Sequence, residues 1–320
     1  KVEASLVSMD PQTGAITALV GGFDFNRNKY NHVTQAKRQP GSTFKPFIYS
    51  AALEKGITPA TIVNDAPLHF SAAETGSGMD WDPQNYDNDF DGHIRLRNGL
   101  AKSKNLVAIR VLKAIGAPYA QDYASRFGFD PANHPAYLSM GLGVGSATLI
   151  EMVTAYGVFA NGGYLKKPYL IEKMVDSEGQ VIDQTNTMLQ NEETPRVIDP
   201  RNAFIMTTLL QDVVNKGTAQ KAKALGRSDI AGKTGTTNNQ VDAWFAGYTP
   251  SQVAIAWIGF DQPKSLGKDE TGSQAALPIW IKYMQTALKD MPIQNYEMPD
   301  GVMIRKIKSD TGTPANENEE

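Results

Sequence analysis

A serine followed three residues later by a lysine, Ser42-Thr43-Phe44-Lys45, comes directly after the turn-forming pair Pro40-Gly41 and opens a mostly apolar segment. If Ser42 begins a helix, residues three apart share one face, and a hydroxyl and an amine can meet there. That is the spacing of a nucleophile and its base. A helix N-terminus adds unpaired backbone N–H groups and a partial positive charge, which is what the oxyanion of an acyl transfer requires. The same four residues also read as a capping serine with a solvent-facing lysine, so the pair carries weight only in company.

Two further short segments supply that company. Ser103-Lys104-Asn105 is a polar stretch between apolar helical patterns, and Lys233-Thr234-Gly235-Thr236 lies in a strand-like run. A serine with a lysine base, then Ser-x-Asn, then Lys-Thr-Gly, in this order, is an established signature of penicillin-binding proteins and class A β-lactamases. Each segment alone is ordinary; their conjunction is not.

These residues need a scaffold that brings distant segments together. Ala4–Met9 and Ala15–Val20 flank the turn text Asp10-Pro11-Gln12-Thr13-Gly14 and read as a hairpin. The Ser42 helix should run to Lys55 and stop at Gly56, with Pro46 in its first turn. Asp65–Gly92, rich in Asp, Asn, Gly and Ser, reads as a long loop. Helices are expected over Leu96–Ala101, Leu106–Ile115, Tyr119–Phe127, Leu149–Phe159, Asn202–Val214 and Pro278–Leu288. Tyr169–Val175 and Val181-Ile182 suggest a second hairpin, and Asp229–Thr237, Ala243–Tyr248 and Val253–Gly259 read as neighbouring antiparallel strands. The text from Pro299 onward reads as disordered.

Composition excludes several other functions. The 320 residues are 41% apolar and 20% charged, as in a globular chain, and the net charge of -3 with no basic run gives no reason to expect nucleic acid. Without cysteine there is neither thiol catalysis nor a cysteine-ligated metal. His32, His69, His93 and His134 show no metal-ligand spacing and read as surface or loop residues. Asp87-x-Asp89-x-Asp91-Gly92 imitates the start of a calcium loop, but Asn98 stands where the bidentate glutamate belongs. Gly226–Thr234 approximates a phosphate-binding loop with the wrong spacing and no following helix. No cofactor or metal is expected. No apolar run is long enough to span a bilayer, and an opening Lys1 reads as a fragment or processed form.

The chain from Ser5 to about Met284 resembles the transpeptidase domain of class A, bifunctional penicillin-binding proteins, most closely the Gram-negative 1a type. Beyond the three motifs, the resemblance rests on Arg38-Gln39-Pro40-Gly41-Ser42, Trp81-Asp82-Pro83-Gln84-Asn85-Tyr86, Phe159-Ala160-Asn161-Gly162-Gly163 and Asp242-Ala243-Trp244-Phe245-Ala246-Gly247-Tyr248. Two features depart from the pattern: Lys104 stands where β-lactamases usually place aspartate, and the segment between Val181 and Arg196 is short for the type.

The resemblance implies an α/β (α+β) penicillin-recognising fold, with an antiparallel sheet flanked by helices plus an all-helical subdomain, as a transpeptidase domain over residues 1–292 and a partly disordered tail over 293–320. It implies Ser42 as the acylated nucleophile, Lys45 as base, and Ser103 and Lys233 as the other catalytic groups. Asn105, Thr234, Gly235 and Thr236 would hold the substrate, a peptidoglycan stem peptide ending in D-Ala-D-Ala, and β-lactams would acylate the same serine. The full-length protein would be anchored at the periplasmic face of the bacterial inner membrane with cell-wall synthesis partners and an upstream glycosyltransferase domain. A DD-carboxypeptidase, a β-lactamase relative, or a non-catalytic β-lactam sensor or scaffold remain the alternatives. No Glu-x-x-Leu-Asn text that would favour hydrolysis is found.

Overall fold

The structure, a computed structural model, describes residues 1–75, 77–185 and 194–316. Strand β1 (Val2–Met9) turns at Asp10–Gly14 into β2 (Ile16–Val20). The turn is closed by Gly14 N–H donating to Asp10 O and Asp10 N–H to Ala15 O. Near the other end of the chain, β7 (Ala231–Thr236), β8 (Asp242–Thr249) and β9 (Gln252–Phe260) form a meander. Strand β9 pairs with β1 along its whole length, Val2 opposite Phe260 and Met9 opposite Val253. The result is a five-stranded antiparallel sheet in the order β2-β1-β9-β8-β7.

Strands β8 and β9 are largely apolar on both faces because both are covered. Tyr248 meets Tyr156 of α6 (Leu149–Ala160) edge-on, with ring centroids 6.5 Å apart. On the opposite face Phe245 meets Trp280 of α8 (Leu277–Ala287) at 4.8 Å. Strands shielded on two sides lose the alternation of apolar and polar residues that a one-sided sheet would show.

Helix α1 (Lys45–Glu54) runs through the centre of the molecule, and its first eight residues are all buried. Around it pack α4 (Asn105–Ile115), α5 (Ala117–Ser125) and α7 (Pro200–Asn215). A helix apolar on every side is one buried on every side. The expected helix start at Ser42 is divided in two: a 3-10 turn, Gly41–Phe44, precedes α1. Pro46 has no N–H to give Ser42 O across the usual four residues, so Lys45 N–H makes that bond across three.

The expected loop from Asp65 to Gly92 contains a short helix α2 (Ala72–Thr75) and a bridge between Phe70 and Trp81. It is bounded by the strand pair β3 (Ile62–Asp65) and β4 (Gly92–Arg95), which leads into α3 (Leu96–Ala101). The second hairpin forms from β5 (Lys173–Val175) and β6 (Val181–Gln184). Half of the segment from Val181 to Arg196, whose length departs from the family pattern, falls outside the described residues.

His32 and His134, expected at surface or loop positions, lie in loops but are not at the surface. His32 is buried and stacks on Trp257, with its ring nitrogens against Gly21 O and Asp261. His134 is buried and stacks on Phe44, in the turn that carries Ser42. Aromatic neighbours far away in sequence, invisible to spacing arguments, hold both. The chain beyond α8 lies against the body at several points: Tyr296 Oη donates to Asp229 O and Gln294 N–H to Asp229 Oδ2. Of the tail expected to be partly disordered over 293–320, residues 317–320 lie outside the described ones. Among the described residues, no helix is long and apolar enough to cross a membrane, and no group of side chains could hold a metal ion.

Candidate active site

The three motifs converge on one cleft of about 590 Å³, lined by Ser42, Ser103, Asn105, Thr234 and Thr236 among others. Ser42 is half-buried at the cleft floor, one turn ahead of Lys45. Lys45 is wholly buried, and its Nζ lies 2.8 Å from Ser103 O, 2.8 Å from Asn105 Oδ1 and 3.1 Å from Ser103 Oγ. Lys233, also wholly buried, donates to the same Ser103 Oγ at 2.8 Å and to Thr234 O at 3.0 Å. One serine hydroxyl thus stands between two lysines from opposite ends of the chain.

Burial sets the state of both amines. It holds Lys45 well below the usual ammonium range, and the charge of Lys233 pushes it further the same way. Burial alone brings Lys233 down to about 7. Among the described residues neither lysine has a carboxylate partner to restore its charge, the condition under which a lysine becomes a base near neutrality.

The backbone explains how Ser103 reaches this position. It follows α3 with φ at +57°, one of the few non-glycine residues in the left-handed region. Ser103 N–H donates to Leu100 O and Lys104 N–H to Gly99 O, the two bonds of a Schellman cap. Glycine normally fills that place. A serine here accepts an unfavourable conformation and gains a hydroxyl, placed beside Lys45 Nζ together with its own backbone carbonyl.

Glycines permit the close approach of the other two segments. A Cβ on Gly235 would lie 2.8 Å from Pro40 O and 2.7 Å from the Thr43 side chain, so β7 presses directly on the turn that carries Ser42. On the other side, Gly143 lies at φ +68° behind the same turn, where a Cβ would sit 2.0 Å from Gly41 O. The run Gly141–Ser146 reads in sequence as no more than a turn before α6; its further role is to buttress Ser42.

The substrate-binding residues expected from sequence are all present at or beside the cleft, with partners the sequence does not disclose. Asn105 Nδ2 donates one hydrogen to Gln84 O, leaving its second for a ligand. Thr236 Oγ1 accepts from Gly272 N–H, so its own hydrogen points elsewhere. Thr234 Oγ1 lies 2.6 Å from the hydroxyl of Thr218, a cleft residue just after α7 that sequence reasoning missed because it belongs to none of the three motifs. Of the aromatics in the segments that carry the resemblance, Trp81 and Tyr86 line the cleft, whereas Trp244 and Tyr248 are core. Trp244 Nε1 donates to Gln39 O and so fastens the nucleophile turn to the sheet.

This sheet, the helices on both its faces and the two-lysine cleft define a penicillin-recognising serine acyl transferase fold. The sequence model for the penicillin-binding protein transpeptidase domain matches residues 4–285, and the chain belongs to that family. It is 52% identical to penicillin-binding protein 1A of Neisseria lactamica over 302 residues, which is 94% of this chain and 38% of that protein. It is 42% identical to penicillin-binding protein 1A of Pseudomonas aeruginosa, over 98% of this chain and 43% of that one. The crystal structure of penicillin-binding protein 1A from Haemophilus influenzae superposes with a TM-score of 0.94 at 35% identity, covering 100% of this chain and 52% of the other. PonA1 of Mycobacterium tuberculosis, solved in complex with penicillin V, superposes at 0.80 with 27% identity, over 94% of this chain and 82% of that one. The chain spans about two fifths of the length of the curated relatives it matches.

Proposed function

We propose that the cleft performs serine-type DD-transpeptidation: Ser42 attacks the carbonyl of the penultimate D-alanine of a stem peptide, releases the terminal D-alanine, and passes the acyl group to an amine of a neighbouring strand. The observation that carries this reading is Ser103 Oγ held within 3.1 Å of Lys45 Nζ and 2.8 Å of Lys233 Nζ. A neutral amine has two hydrogens and one lone pair. If Lys45 gives its hydrogens to Ser103 O and Asn105 Oδ1, its lone pair is left to receive a proton, directly from Ser42 or through Ser103. Lys233 then returns a proton by way of Ser103 to the leaving amine.

The remaining roles follow from chemistry. Backbone N–H groups of Ser42 and Thr236 receive the oxyanion. Thr234 and Thr236 offer hydroxyls to the terminal carboxylate beside the Lys233 charge, with Gly235 keeping the strand close, while Asn105 holds a substrate amide carbonyl. β-Lactams, whose strained amide imitates the scissile bond, acylate the same serine. Deacylation by water should be slow: Glu151 is spent in the capping box of α6, accepting from Thr148 N–H and Thr148 Oγ1. A periplasm-facing location and cell-wall synthesis partners belong to the same proposal for the full-length protein.

Intact-protein mass spectrometry with benzylpenicillin tests the reading. The wild-type chain should gain one penicilloyl group and retain it, and Ser42→Ala should gain none. An adduct on Ser42→Ala, or rapid release of hydrolysed penicillin by the wild type, would overturn it.

A further inference from the structure

Two features of the sequence stand outside the mechanism: the calcium-like text Asp87-x-Asp89-x-Asp91 and the lysine at the centre of Ser103-Lys104-Asn105. The structure joins them. Lys104 is 4% exposed, and its Nζ lies 2.9 Å from Asp87 Oδ2, 3.4 Å from Asp89 O, 3.6 Å from Asp65 Oδ2 and 3.7 Å from Asp91 Oδ1. Three carboxylates and a carbonyl surround one ammonium in the way acidic loops surround a metal ion. The loop carries its own cation.

We infer that Lys104 is a positioning residue for the acylation reaction: its ammonium folds the 81–91 segment into a fixed wall of the cleft, and that wall orients Asn105. The path is continuous. Asp65, wholly buried, accepts from Asn85 Nδ2 at 2.8 Å and from Asp91 N–H at 2.9 Å. Asn85 also donates to Asp89 O, and its Oδ1 accepts from Leu106 N–H in the first turn of α4. Its neighbour Gln84 offers the carbonyl that takes Asn105 Nδ2, while Asn105 Oδ1 accepts from the base, Lys45. Removing the ammonium would leave Asp65, Asp87 and Asp91 facing one another, with Asp65 out of reach of water, and mutual repulsion would open the loop. Lys102 cannot substitute: it is on the exposed side and reaches only the other oxygen of Asp91.

The inference rests on the acyl-transfer reading, and its test separates the two. Lys104→Met keeps the aliphatic stem and removes the charge. Its second-order rate of labelling by a fluorescent penicillin should fall about tenfold or more, as expected when reacting groups lose their alignment. Amide hydrogen exchange should accelerate across 81–91 and at Leu106 while the β7–β9 strands keep their protection. Lys104→Arg, which retains the charge, should recover most of both properties. The pH profile of labelling should keep its midpoint, since the burial and the Lys233 charge that set Lys45 are untouched. Wild-type labelling and exchange in Lys104→Met would overturn the inference. So would a displaced pH midpoint, which would make Lys104 a charge acting on the base, or exchange rising equally through the sheet, which would make it a general structural residue. If Lys104→Met does not fold, Asp87→Asn removes the nearest carboxylate from an exposed position. It should slow labelling about threefold, on the scale of a partly exposed ion pair, and loosen 81–91; no change in either overturns the inference. A wild-type chain that is not labelled would instead refute acyl transfer, leaving hydrogen exchange to decide the role of Lys104.

Discussion

At the scale of single residues, the site concentrates energetic cost where it concentrates chemistry. Ser103 occupies a left-handed position that glycine would fill without strain. Replacing it with glycine should therefore leave stability unchanged or raise it by about 1 kcal/mol, read from denaturant midpoints. The same substitution should lower the penicillin acylation rate by about 10²–10⁴-fold, the usual contribution of a positioned proton carrier. A stabilised, inactive protein would separate strain from function at one atom. Ser42, Lys45, Ser103 and Lys233 were legible in the sequence because their types and order are distinctive. Thr218 was not, since one threonine after a helix carries no signal until its hydroxyl is seen against Thr234. The positive φ of Ser103 was equally hidden: nothing in Lys-Ser-Lys-Asn announces that a serine closes a helix in place of glycine.

Secondary-structure elements were read from sequence far more easily than the contacts between them. The two hairpins, the central helix and the meander follow from local patterning, and the structure bears them out. Sequence could not show that the turn before α6 stands behind the nucleophile, because that contact joins segments about a hundred residues apart, and only backbone proximity reveals it. It yields a prediction of its own. Gly143→Ala would place a methyl group against Gly41 O in a backbone conformation that alanine avoids. The chain should fold with a loss of about 1–3 kcal/mol, and labelling by penicillin should fall by up to about a hundredfold as Ser42 moves from its position. Normal labelling in a folded Gly143→Ala protein would show that the nucleophile turn tolerates displacement of its support.

The molecule as a whole must keep Lys45 and Lys233 wholly buried, and that makes its stability depend on pH. In the unfolded chain these amines bind protons up to the ordinary lysine range; in the folded chain Lys233 holds its proton only below about 7, and Lys45 is lowered as well. Between those limits the unfolded state binds more protons, so their contribution to stability grows as pH rises from about 7 and is lost as pH falls towards it. Denaturant melts between pH 7 and 10 should show this slope, and it should be shallower in Lys233→Met; equal slopes would mean that burial does not discharge the lysine. The penicillin-recognising fold class was legible through its motifs, while the cleft wall was not, because the residues building it come from text that resembles a loop or a calcium site. The order of the sheet has a last consequence. Strand β7 is terminal, so one side of its main chain has no strand beside it, and in most proteins such a border invites another copy to zip on. Here five of its six residues are buried, with Thr234 and Thr236 lining the cleft, so the border is shielded from such pairing along most of its length.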